Sequence, residues 1–116
     1  MTEKPFKGVL VPTVTPLTPD EKVDVPSLRR LVNYQIDAGV HGIWATGTNG
    51  EFASLVDEQR IIAMETIVDE VDGRVPVIGN VSAAGTKAAV EMAKALAESG
   101  LDGVAATPPY YYNYDQ

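Results

Sequence analysis

The chain has 116 residues, 45% hydrophobic and 22% charged, which is the composition of one soluble domain or of a piece of a larger one. Sixteen acidic against nine basic residues leave a net charge of −7, which disfavours nucleic acid and anionic membranes as partners. With no cysteine and one histidine, His41, disulfide scaffolds, thiolate nucleophiles and thiolate metal sites are excluded and metal binding is short of nitrogen donors.

The first apolar run is broken by Pro12 and Pro16, too short for a signal peptide or a membrane span, and the chain reads as cytoplasmic. Residues Gly8 to Val14 read as a first strand, at an edge or irregular near Pro12. Asp24 is the expected N-cap of a first helix with Pro26 in its first turn, and Leu28, Leu31, Val32 and Ile36 recur at helical spacing until Gly39. A second strand follows over Ile43 to Thr46. Asp57 and Glu58 suit the positive end of a second helix running to about Val71, where Asp72-Gly73 stops it. Val75 to Val81 read as a third strand, apolar enough to be covered on both faces. Thr86 is the expected cap of a third helix, with Ala89, Val90, Ala93, Leu96 and Ala97 as its apolar stripe. Val104 to Thr107 form the fourth strand. Asn80-Val81-Ser82 matches the N-glycosylation pattern by chance, since nothing marks the chain for secretion.

One joint occurs twice. Gly39-Val40-His41-Gly42 leads into the second strand and Gly100-Leu101-Asp102-Gly103 into the fourth, 61 residues later. In each, a glycine ends the helix in the left-handed conformation, and a second glycine opens an apolar run closing on Thr46 or Thr107. The order βαβαβαβ implies right-handed crossovers and a parallel sheet with both closing threonines at one edge. A doubly wound domain fits the length, whereas a (β/α)8 barrel of roughly 250 residues would be half present. The end of the chain after a strand and loop, with no helix to cover strand four, favours the half barrel.

In parallel α/β folds the loops after strand C-termini carry the chemistry. Gly47-Thr48-Asn49-Gly50-Glu51 sets two hydrogen-bonding side chains between glycines and suits a carboxylate or a small phosphate, but it also reads as a glycine turn bonded to its own backbone. It matches neither nucleotide-binding glycine motif. The other loop is Pro108-Pro109-Tyr110-Tyr111-Tyr112.

Together, Gly8-Val9-Leu10-Val11-Pro12-Thr13-Val14-Thr15-Pro16, Gly47-Thr48-Asn49-Gly50-Glu51, Pro76-Val77-Ile78-Gly79 and Thr107-Pro108-Pro109-Tyr110-Tyr111-Tyr112 resemble the dihydrodipicolinate synthase and N-acetylneuraminate lyase family, in order and over essentially the whole chain. The resemblance implies the N-terminal half of a (β/α)8 TIM barrel from a homotetrameric class I aldolase, lyase or synthase. Such an enzyme acts on pyruvate or a related 2-keto acid through a lysine Schiff base and uses no cofactor. It further implies Thr48 as the catalytic relay hydroxyl, Asn49 with Thr48 and Gly50 at the carboxylate-binding position, and Tyr111, with Tyr110 and Tyr112 as close rivals, as the relay tyrosine, which in the family often meets a neighbouring subunit. Asn49 departs from the family's usual Thr or Ser, and its different reach leaves room for a 2-keto-3-deoxy-sugar-acid aldolase or dehydratase. A non-catalytic small-acid binding or assembly module is the alternative from another class.

The family's Schiff-base lysine belongs to the sixth strand, beyond Gln116. Lys4, Lys7, Lys22, Lys87 and Lys94 fall at the N-terminus, in the first loop and on the third helix, where nothing desolvates an amine, so this chain is expected to be inactive alone. Tyr110, Tyr112 and Tyr114 read as aromatic packing at an oligomer interface. His41 and Asp102, at the strand N-termini, read as structural, Trp44, Met64 and Met92 as core packing, and Glu51 as a structural acceptor for loop amides.

Overall fold

The computed structural model describes residues 6–113 and 115. The elements are β1 (Leu10–Pro12), α1 (Val25–Asp37), β2 (Gly42–Ala45), a 3-10 turn (Phe52–Ser54), α2 (Asp57–Val71), β3 (Val77–Asn80), α3 (Thr86–Ala95) and β4 (Gly103–Ala105). Every pairing between these strands is parallel, and they lie side by side in the order β1-β2-β3-β4. That order decides between the two closures. A doubly wound sheet reverses its direction of growth at a switch point, whereas a barrel adds each strand on the same side of the last. No reversal occurs, so the chain holds the first four strands of a (β/α)8 barrel, with right-handed crossovers carrying the helices to one face.

Local chemistry explains the helix limits. The Asp24 carboxylate accepts the Ser27 N–H at 3.2 Å and its hydroxyl at 2.8 Å, capping α1 where Pro26 already favours helical φ. Asp72 and Gly73, both at positive φ, end α2. In the repeated joint, Gly39 and Gly100 stand at φ +94° and +89°, the left-handed conformation their positions predict. Thr86 is not a cap. It is the first residue of α3, behind an extended Gly85 that offers no side-chain bond.

Leu28 and Val32 of α1 and Ala63, Met64, Ile67 and Val71 of α2 pack against Ile43, Ala45 and Val77 of the sheet, all essentially buried. Each large apolar side chain so buried stabilises the fold by about 1.5–3 kcal/mol. Met92 on α3 and Leu96 just past its end face this core, whereas Val90 on the helix and Ala97 beyond it, placed by periodicity on the apolar stripe, are exposed. α3 ends at Ala95 in a looser turn, which swings the following residues out of helical register.

β3 is not covered on both faces. Ile43, Ala45, Val77 and Gly79 are buried, whereas Trp44 and Ile78, pointing the other way, are half-buried. These line the lumen of the curved sheet, which no helix covers. Trp44 therefore belongs to the lumen and not to the helix-facing core. β1 is shorter than the run Gly8 to Val14, and its ladder continues past Pro12 through the Thr13 N–H to the Trp44 carbonyl at 3.1 Å. Lys4 and Tyr114 lie outside the described residues.

Candidate active site

A cavity of about 350 Å³ opens at the C-terminal edge of the sheet, lined by Leu10, Pro12, Trp44, Gly47, Thr48, Asn49, Phe52, Asn80 and Thr107. It draws on the ends of all four strands, and the two loops singled out by sequence meet at this one edge. A second groove, of about 280 Å³ between α3 and the β4 loop, is lined by Val81, Ala89, Val90, Ala93 and Pro109. Thr86 and Thr107 are its polar side chains, and convergent polar groups favour the first cavity as the site.

The glycine loop is held at several points. Thr46 is fully buried at φ +50°, a conformation costly for a β-branched residue. Its carbonyl accepts the Asn80 side-chain amide at 2.9 Å. The Gly50 carbonyl accepts the Thr15 hydroxyl at 2.8 Å, tying the loop to the segment after β1. A Cβ on Gly50 would lie 2.8 Å from the Thr46 Cα and 3.1 Å from the Thr13 carbonyl oxygen, so the tight return of the loop requires glycine there. Glu51 N–H closes the turn on the Thr48 carbonyl at 3.0 Å. Thr48 and Asn49 are exposed at the rim, both lining the cavity, while Gly50 is buried beneath them. The Glu51 side chain makes no capping bond to the turn it opens, and its carboxylate is exposed, unlike the expected loop-amide acceptor.

The aromatic loop meets the glycine loop through Tyr110, whose ring packs edge-on against Phe52 with centroids 5.8 Å apart. Tyr111, at φ +83°, is 86% exposed and packs edge-on against Tyr112 at 4.9 Å. Tyr111 thus projects from the rim, while its neighbour touches the loop that carries Thr48.

Three polar residues beneath the rim escaped the reading of the sequence. Asn80 sits in a stretch that reads as buried strand, Ser82 lies just past its end, and Arg60 falls on the core side of α2 between Asp57 and Met64. Arg60 is 4% exposed. Its Nη2 donates to the Asn80 carbonyl at 2.9 Å, its guanidinium lies over the Phe52 ring at 5.4 Å, and Asp57 pairs with it at 3.7 Å. Burial lowers the Arg60 pKa and Asp57 opposes the shift, but a guanidinium keeps its charge at any ordinary pH. The signal available was a lone arginine interrupting the apolar face of a helix.

Every side chain lining the cavity is uncharged, and a fixed positive charge stands behind Asn80 and Phe52. Neutral donors at a rim backed by a buried cation suit a small anion such as a carboxylate. Among the described residues, Lys7, Lys22, Lys87 and Lys94 are exposed and absent from the cavity wall, and no group of three His, Asp or Glu side chains converges on a metal site. No helix of the described residues is long and apolar enough to cross a membrane.

Four consecutive parallel strands with a cavity at their C-terminal edge define half of a (β/α)8 barrel. The chain belongs to the dihydrodipicolinate synthetase family, whose model matches residues 5–116. It is 42% identical over 108 residues to an uncharacterized DapA-like lyase of Halobacterium salinarum, covering 93% of this chain and 36% of that protein. It is 41% identical over 106 residues to the 4-hydroxy-tetrahydrodipicolinate synthase of Pelobacter propionicus, covering 91% and 36%. The crystal structure of dihydrodipicolinate synthase from Acinetobacter baumannii complexed with pyruvate superposes with a TM-score of 0.88 at 34% identity, over 92% of this chain and 37% of that one. The chain thus spans about 36% of the length of the curated relatives it matches.

Proposed function

We propose that these residues form the N-terminal half of the active site of a lyase or synthase that takes pyruvate or a related 2-keto acid as a lysine Schiff base. The observation that carries this reading is the placement of Thr48 and Asn49 together on the wall of a cavity with uncharged walls and a buried arginine behind it. In it, Thr48 relays a proton, Asn49 and the amides around Gly50 hold the keto-acid carboxylate, and Tyr111 completes the relay. Tyr111's exposure on the rim suits a group shared with a neighbouring subunit of a homotetramer. The lysine nucleophile comes from outside the chain, and the complete protein works in the cytoplasm. Asn49 supports a second reading within the family, in which the keto acid is a 2-keto-3-deoxy sugar acid, because a longer amide replaces a hydroxyl at the carboxylate position.

Two measurements test this. Titration of pyruvate into the labelled chain is expected to shift the amide signals of residues 47–51 before any others, and shifts confined to the groove beside α3 would sink the reading. Borohydride reduction with pyruvate is expected to leave Lys4, Lys7, Lys22, Lys87 and Lys94 unmodified in this chain. A stoichiometric adduct on one of them would show that the nucleophile has been misplaced.

A further inference from the structure

The two site loops spring from different strands, and a buried polar chain joins their roots through a third. Asn80, the last residue of β3, is 3% exposed and lines the cavity between them. Its Nδ2 donates to the Thr46 carbonyl at 2.9 Å, and its Oδ1 accepts the Ser82 hydroxyl at 2.6 Å. The Ser82 hydroxyl oxygen in turn accepts the Thr107 N–H at 2.8 Å. Every donor in this series points from β4 toward β2, so each bond polarises the next. Arg60 holds the middle of the chain by its bond to the Asn80 carbonyl. Thr46, at one end, is the strained residue before Gly47-Thr48-Asn49, and such a conformation persists only where the surroundings over-determine it. Thr107, at the other end, opens the tyrosine loop.

We infer that Asn80 is a positioning residue of the site: it holds the Thr46 turn that aims Thr48 and Asn49, and through Ser82 it sets the tyrosine loop against them. Its functional meaning rests on the keto-acid reading, but the geometry does not. Because the Asn80 amide is buried and engaged at both ends, Asn80-Val81-Ser82 is no acceptor for a glycan in the folded chain.

Amide hydrogen exchange on this chain without ligand tests the inference. Ser82→Ala removes the acceptor of the Thr107 N–H and leaves the bond from Asn80 to Thr46. It should speed exchange at Thr107 by about tenfold and leave Glu51 and Phe52, whose amides bond inside the glycine loop, unchanged. Asn80→Leu keeps the branched shape and loses both arms, so Thr107, Glu51 and Phe52 should all exchange about tenfold faster while α1 and α2 amides change by less than about twofold. Should Asn80→Leu fail to fold, Asn80→Ala replaces it, and Ser82→Ala still reads its own arm. A uniform rise that includes the helices would make Asn80 a general stability residue and overturn the inference. Unchanged protection of Glu51 and Phe52 in the Asn80 variant would overturn it equally. Absence of pyruvate-induced shifts in the unsubstituted chain would sink the keto-acid reading and leave the exchange result standing.

Discussion

His41 and Asp102 hold the same place in the two copies of the helix-to-strand joint, and each exchanges two hydrogen bonds with one residue of the neighbouring strand segment. His41 donates its N–H to the Val9 carbonyl at 2.8 Å and accepts the Val9 N–H on Nδ1 at 2.9 Å. Asp102 donates its N–H to the Val77 carbonyl at 2.9 Å and accepts the Val77 N–H on Oδ2 at 2.9 Å. Both side chains therefore close the ladder at the N-terminal end of the sheet, opposite the site. The two clasps differ in burial, since Val77 is 2% exposed and Val9 59%. Asp102→Ala should destabilise by about 1–3 kcal/mol in urea unfolding, because the Val77 N–H loses a partner where water is scarce. His41→Ala should cost less, because water reaches Val9. The reverse ranking would show that the clasps are not what matters at these positions.

Acid should loosen α1 at its start. The Ser27 hydroxyl and then the Ser27 N–H, both donating to Asp24, lower the Asp24 pKa below the ordinary carboxylate value. A depressed carboxylate stabilises the fold above its unfolded pKa of about 3.9, and that contribution is lost as the pH falls through the lower folded value. Asp24→Asn keeps a capping oxygen without the titration. The variant's thermal midpoint should therefore fall less steeply than the parent's below about pH 4. Parallel acid limbs for the two proteins would rule out Asp24 as a contributor.

Gly50→Ala should distort the site more than the core. The added Cβ meets the Thr46 Cα and the Thr13 carbonyl, both backbone atoms with little freedom to retreat. Overpacking of this kind costs about 1–3 kcal/mol. The amide signals of Thr48 and Asn49 should move and pyruvate-induced shifts disappear, while α1 and α2 keep their signals. A structure with an undisturbed loop would refute this.

In the complete barrel, Thr48→Val should lower kcat by about 10²-fold with a smaller change in KM, because a relay hydroxyl acts mainly in the transition state. Asn49→Ala should instead raise KM for the 2-keto acid by roughly tenfold, the loss of about one hydrogen bond to a charged group. Exchanged effects would mean that the two roles are assigned backwards.

Features written in neighbouring residues were legible from the chain alone. The Asp24 cap, the Asp72-Gly73 stop and the left-handed Gly39 and Gly100 depend on contacts within a turn, and they bound α1, α2 and the two joints as expected. Motif order in turn brought Thr48, Asn49 and the tyrosine loop to one edge, because a parallel sheet sends every strand end the same way.

What required three dimensions depends on residues far apart in sequence. Periodicity leaves open whether successive strands are added on one side or two, so the sequential strand order, and with it the lumen that receives Trp44, became visible only in the folded sheet. The bond from Asn80 to Thr46 spans 34 positions and that from Thr107 to Ser82 spans 25, distances at which no local pattern distinguishes a loop-holding amide from a buried strand residue. Local sequence set the helix ends and the direction of the strands, since those are settled within a few residues. The shape of the site and the groups that hold its loops came from packing of the strand ends, since only closure of the sheet brings those groups within bonding distance.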